Sequence, residues 1–280
     1  MRRRHVLWGT VAASVVMAVL GASTAHAEGR GDIRVVKGVA NNGKSVVVGI
    51  RGTVSFPVKL TIKDNSGVKE VVDLDAHSAA TTYGVPAETV GVTCKKLSST
   101  TSDCTATMRF DPAWFPGYSD RNANEGAGGW DIYGVVRAND RDYWIYDSLA
   151  PFTLKRAATL KVSATRPSLF GTSRQVRVTG ALARADWEAL KYRGYGGQSL
   201  KLQFRKAGAA SYTTVKTVRT NSAGQVSTTV TASASGTWRW FYPGTSTTSQ
   251  TASAGDTVSF GPMVMRSSAA KLPLHDVSAG

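Results

Sequence analysis

Leu200-Lys201-Leu202-Gln203-Phe204-Arg205 decides the fold, together with Gly236-Thr237-Trp238-Arg239-Trp240-Phe241-Tyr242 further along. In the first stretch apolar residues alternate one for one with polar and cationic ones; in the second, Trp238, Trp240 and Tyr242 share a face. A period of two sends successive side chains to opposite faces, so each stretch reads as a strand with one buried and one wet face. The same period runs through Val176, Val178 and Gly180, set against Gln175, Arg177 and Thr179. Asn221-Ser222-Ala223-Gly224 is a turn signal between Tyr212–Thr220 and Gln225–Thr231, and predicts that those runs form a hairpin. With Leu160–Thr165 and Asp256–Phe260 there are about seven short strands in about 100 residues, which suits an immunoglobulin-like sandwich.

The preceding half follows the same grammar less regularly. Ile33–Lys37, Ser45–Ile50 and Val58–Lys63 read as strands, with a turn at Asp64-Asn65-Ser66-Gly67. Val90–Lys95 and Cys104–Phe110 read as a strand pair, Trp130–Arg137 as another strand, and Phe152–Leu154 as the last. Ala185–Tyr192 is the one helical expectation, too short to hold without packing. The fold class is therefore all-β: two tandem immunoglobulin-like β-sandwich domains, with a boundary expected at Lys155–Thr159.

The amino-terminal end reads differently. Arg2-Arg3-Arg4 precedes an apolar run from Val6 to Ala22, then Ala25-His26-Ala27, the basic, apolar and small-residue layout of a secretory signal peptide. Residues 1–27 are expected to be removed. Residues 28–155 then form the first domain, 156–262 the second, and 263–280 a tail. The expected location is secreted and extracellular, with no membrane insertion after cleavage. In that setting Cys94 and Cys104 read as one disulfide, worth roughly 3 kcal/mol by closing a short loop.

Charge divides the two domains. The chain carries a formal +15. Residues 28–155 hold 15 Lys and Arg against 15 Asp and Glu, while 156–280 hold 16 against 4. Lys161, Arg177, Lys201 and Arg205 take outward positions in alternating strands. A basic sheet face attracts polyanions through a long-range, salt-sensitive field, so an anionic cell-wall or extracellular polymer is the expected partner. A merely solvated basic surface is the plainer alternative. Nucleic acid is not expected as a physiological partner of an exported chain, and no sequence signal speaks to oligomeric state.

Catalytic signatures are missing. After residue 27 only His77 and His275 remain, and there is no G-x-S-x-G, H-E-x-x-H, P-loop or G-x-G-x-x-G pattern. A hydrolase built on paired carboxylates alone has no fixed spacing and stays open as an alternative. No cofactor is required by the pattern. Calcium is the one it admits: Asp120, Asn122, Asn124 and Asp131 fall at positions 1, 3, 5 and 12 of a calcium loop. Glu125 stands where the loop needs glycine, and position 12 has Asp in place of Glu; an inter-strand loop explains the segment equally. Asp140, Asp142 and Asp147 could join such a site, or pair with Arg137 and Arg141. Trp114, Phe115 and Tyr118, and Tyr192 with Tyr195 around Arg193, are candidates for stacking on sugars or for packing over a sandwich end.

Val178-Thr179-Gly180-Ala181-Leu182-Ala183-Arg184-Ala185-Asp186-Trp187, Leu202–Gly208, Tyr212–Val218 and Gly236–Trp240 together resemble a domain of exported actinobacterial tandem immunoglobulin-like proteins. Cys94, Cys104 and Gly129-Trp130 more loosely resemble the domain that often precedes it. The resemblance implies a surface or secreted β-sandwich protein without an assigned reaction. Some relatives are labelled calcium-binding, and no ligand set comes with that label. The expected function is a secreted, non-enzymatic binding or scaffold protein whose basic second domain associates with anionic polymer. A calcium-stabilised surface protein is the alternative.

Overall fold

The structure, a computed structural model, describes residues 27–79, 85–166 and 173–260. Nearly all of the expected signal peptide, the tail at 263–280 and His275 lie outside the described residues. The first ten strands are β1 (Ala27–Arg30), β2 (Arg34–Ala40), β3 (Val46–Val48), β4 (Val54–Lys63), β5 (Val68–Ser78), β6 (Ala87–Lys96), β7 (Thr101–Phe110), β8 (Gly128–Ala138), β9 (Tyr143–Tyr146) and β10 (Phe152–Arg156). One sheet runs β2-β4-β7-β6. In the other, β8 pairs with β5, β9 and β10, with β1 on β9 and β3 on β10. In the immunoglobulin lettering these are A-B-E-D and C-F-G, the last strand being broken into β9 and β10. All pairings in this half are antiparallel except β3 with β10.

The second half has β11 (Ala158–Thr165), β12 (Gln175–Asp186), β13 (Lys191–Gly194), β14 (Ser199–Lys206), β15 (Thr213–Arg219), β16 (Gln225–Thr231), β17 (Gly236–Tyr242), β18 (Thr251–Ala252) and β19 (Asp256–Val258). β12 takes β11 on one side, and β16 and β13 along successive parts of the other. The facing sheet is β15-β14-β17, closed by β18 and β19. This is A-B-E against D-C-F-G, again with a broken last strand. The described chain is thus two tandem immunoglobulin-like β-sandwiches.

Each sandwich buries the faces that alternation marks. Trp238, Trp240 and Tyr242 lie in the second core with Val176, Val178, Leu200 and Leu202. Phe56, Phe110, Trp130 and Phe152 fill the first, with neighbouring ring centroids between 5.2 and 6.4 Å apart. Cys94 and Cys104 sit directly opposite on β6 and β7 and are disulfide-bonded.

Two local expectations are overturned. Tyr212–Thr220 and Gln225–Thr231 do not form a hairpin, because β15 pairs with β14 and β16 with β12 in the other sheet. The turn at 221–224 is an Asn-capped crossover: Asn221 Oδ1 accepts the amides of Ala223 and Gln225, and Gly224, at φ +79°, leaves no room for a side chain, since a β-carbon there would lie 2.2 Å from the Leu182 carbonyl oxygen. Ala185–Tyr192 is not a helix either. β12 runs to Asp186, a turn follows with Leu190 at φ +46°, and β13 returns along β12. The apolar spacing there serves the other domain, since Ala185 and Trp187 are buried in the first core.

Candidate functional site

Strand alternation places Lys161 of β11 and Arg177 of β12 on the outer face of the β11-β12-β16 sheet. The register sets Lys161 opposite Ala181, Ser163 opposite Thr179, and Thr179 opposite Ser227. Short side chains therefore floor a groove of about 690 Å³, with Lys161, Arg177 and Arg219 standing around it. Arg219 comes from β15, in the facing sheet. Its guanidinium is steadied by donation to the Gly197 carbonyl at 2.8 Å, and Arg177 Nε donates to Ser227 Oγ at 3.4 Å. Sequence reading missed Arg219, because the strand that carries it has no regular alternation and its place beside β11 and β12 follows from the sandwich alone.

Lys201 and Arg205 lie on the opposite side, on the outer face of β14. There Arg239 of β17 donates to Gln203 Oε1 at 2.8 Å. The Tyr212 ring packs with both Arg239 and Arg205, whose guanidinium carbons are 3.8 and 4.9 Å from its centroid. The four expected cations thus divide two and two between opposite faces. Arg205 is half-buried against a ring; Lys161 and Arg177 are exposed beside a concave surface.

The acids of this domain are occupied elsewhere. Asp256 Oδ2 accepts the Ala164 amide at 2.7 Å. Glu188 Oε2 accepts the Ala123 amide of the first domain at 2.8 Å. Asp186 pairs with Arg193 and also accepts from Asn124 Nδ2 and the Ala189 amide. Burial alone would raise the Asp186 pKa, but those hydrogen bonds and the Arg193 charge outweigh it and hold the carboxyl below its ordinary value. None of Lys161, Arg177, Arg219, Lys201 and Arg205 is in a salt bridge with a described acid.

The segment Asp120–Asp131 forms the joint between the domains. Asn122 Oδ1 caps the short turn Ala123–Gly126 by accepting the Asn124 amide. Asn124 uses both side-chain atoms across the joint: Nδ2 donates to Asp186 at 2.8 Å and Oδ1 accepts the Trp187 amide at 2.9 Å. Asp131 accepts from the Ile132 amide and the Ser148 hydroxyl; Asp120 is exposed. Trp187 enters the first domain, where its indole donates to the Val48 carbonyl at 3.2 Å and packs edge-on against Phe115 at 5.2 Å. Arg156 crosses the joint to donate to the Ala185 carbonyl at 2.6 Å, and burial, helped by the Arg184 charge, pulls its pKa down to about 10.

The aromatic candidates also separate. Phe115 is core, while Trp114 and Tyr118 are exposed, with Arg109 5.4 Å from the Trp114 centroid. Tyr195 packs edge-on against Tyr242 with Arg184 at 4.0 Å, and Tyr192 is exposed. Arg137 pairs with Glu70. His77, on β5, is the one histidine among the described residues.

No family model matches the chain, and no curated protein matches it in sequence. Among solved structures, the D00-D0 domain of intimin aligns over 80% of this chain and 97% of its own, at 11% identity and a TM-score of 0.26. A likeness at that score carries no argument; the immunoglobulin-like assignment rests on the strand pairing described above.

Proposed function

We propose that the protein is a secreted, non-enzymatic binding module whose second domain holds a phosphate- or carboxylate-bearing polymer in the groove between Lys161, Arg177 and Arg219. The observation that carries this reading is three cations around one concave surface in a domain whose described acids are all engaged elsewhere. Such a surface concentrates positive potential and attracts an extended anion over a range set by salt. The groove lies open on a sheet face and has a floor of short side chains, which suits a repeating chain better than a buried small molecule. The disulfide is in keeping with an oxidising compartment. No helix among the described residues is long and apolar enough to cross a membrane.

The test is retention of residues 28–280 on immobilised polyphosphate and polyglutamate. Retention at ~50 mM salt and release by ~0.5 M are expected, as screening shortens the field. The triple change Lys161→Gln, Arg177→Gln and Arg219→Gln should abolish retention, and Lys201→Gln with Arg205→Gln should leave most of it. Equal losses from the two sets would reduce the groove to part of a general basic surface.

A further inference from the structure

At the end of the first sandwich farthest from the joint, three carboxylates converge. Asp32 lies where the chain passes from β1 to β2, Asp64 directly follows β4, and Asp142 lies in the β8–β9 turn. One oxygen from each comes within 4.8 Å of the others. None of the three is in a salt bridge with a described cation. The nearby arginines bind main chain instead: Arg30 donates to the Arg141 carbonyl at 3.2 Å and Arg34 to the Asp32 carbonyl at 3.5 Å.

Asp64 sets this cluster apart from an ordinary acidic surface. It is only 3% exposed. Its Oδ1 accepts the Ser66 amide and hydroxyl at 2.7 and 2.6 Å, whereas Oδ2 is buried without any hydrogen-bond partner. A buried carboxylate oxygen with no donor, beside two further carboxylates, is costly unless a cation satisfies it. The approach is tight on the other side too. Asp142 Oδ2 accepts the Asp32 amide at 3.1 Å, and its carboxylate occupies the space where any side chain at Gly31 would begin.

We propose that Asp32, Asp64 and Asp142 bind one divalent cation, calcium by fit. Hard carboxylate oxygens select calcium or magnesium over softer metals. Oxygens about 2.4 Å from calcium span up to about 4.8 Å, which accommodates this spread, while magnesium at about 2.1 Å requires a tighter, near-octahedral cage. Asp32 is exposed and Asp142 half-buried, so water has access to complete the shell. The ion joins the two sheets: Asp64 belongs to the β2-β4-β7-β6 sheet, Asp142 to the other, and Asp32 to the crossover between them. This site is separate from Asp120–Asp131 and independent of the polymer groove.

Trp144 offers a direct readout, because its indole donates to the Gly31 carbonyl at 3.2 Å, next to Asp32. Terbium, a luminescent calcium substitute, is titrated into residues 28–280 with excitation of tryptophan. Saturable emission is expected, displaced by calcium and lost in Trp144→Phe. Asp142→Asn and Asp64→Asn should each weaken the titration at least tenfold, and Asp120→Asn should leave it unchanged. Should Asp64→Asn fail to fold, Asp142→Asn on the more open ligand decides. Calcium should also raise the melting temperature of the wild type and not that of Asp142→Asn. Absence of saturable emission, a titration insensitive to Asp142, or one sensitive to Asp120 would overturn the site.

Discussion

A β-carbon at Gly180 would lie 2.6 Å from Trp240 Cδ1 and 2.7 Å from the Lys161 carbonyl, so the indole lies flush on bare backbone there. The contact is fixed by Trp240 Nε1, which donates to the Thr179 carbonyl at 3.0 Å. Gly180→Ala must therefore displace a fully buried tryptophan, and should destabilise the second sandwich by about 1–3 kcal/mol, read as a lower urea midpoint. Asp186 makes a different prediction. A carboxyl whose folded pKa is depressed contributes stability above its unfolded value, and loses it as pH falls through the folded value. Melting temperatures of wild type and Asp186→Asn should differ most near neutrality, and the gap should narrow below about pH 4. A gap that widens in acid would contradict the assigned direction.

Among the elements, the β6–β7 pair is where sequence and structure agree most closely. β7 alternates without a break, every second residue from Ser102 to Phe110 being buried, and Cys104 lies on that inner face. β6 is an edge strand whose Val90 and Val92 are exposed, and the disulfide ties it covalently across to β7. Replacing both cysteines by serine should cost roughly 2–3 kcal/mol in urea titrations, and reduction of the wild type should match it. β5 escaped sequence reading although it spans Val68–Ser78, because register shifts at Val68/Glu70 and Val72/Asp75, with Asp73 at φ +53°, break its alternation. Ala185–Tyr192 misled for another reason: periodicity reports that a residue is buried, not in which domain. The basic groove was half legible. Alternation set Lys161 and Arg177 outward, but only the sheet assignment separates them from Lys201 and Arg205 and adds Arg219. Of the Asp32, Asp64 and Asp142 cluster only Asp142 stands out in the sequence as a candidate ligand, joining the Asp120 loop, since the three members come from loops far apart in the chain.

For the whole molecule, the joint matters most. Trp187 belongs by sequence to the second sandwich and by packing to the first, where it is fully buried. Trp187→Ala should remove about 3–5 kcal/mol from the first domain, more than its position outside that domain would suggest. A chain ending at residue 157 keeps β10 whole but lacks the same plug, and should unfold at lower denaturant than the first domain does in the intact protein. Identical midpoints would mean that the plug is ornamental. The parallel pairing of β3 with β10 sits beside this joint, with Leu154, Lys155 and Arg156 alongside Val46, Val47 and Val48. β3 follows the chain's entry into the domain and β10 is its exit. Once β1 and β2, which precede β3 and pair with β9 and β4, are drawn off, tension along the polypeptide slides β3 and β10 past one another, loading their hydrogen bonds all at once instead of peeling them apart singly. If the second domain is held on a polymer while the amino-terminal end is pulled, that short ribbon is the mechanical latch of the first.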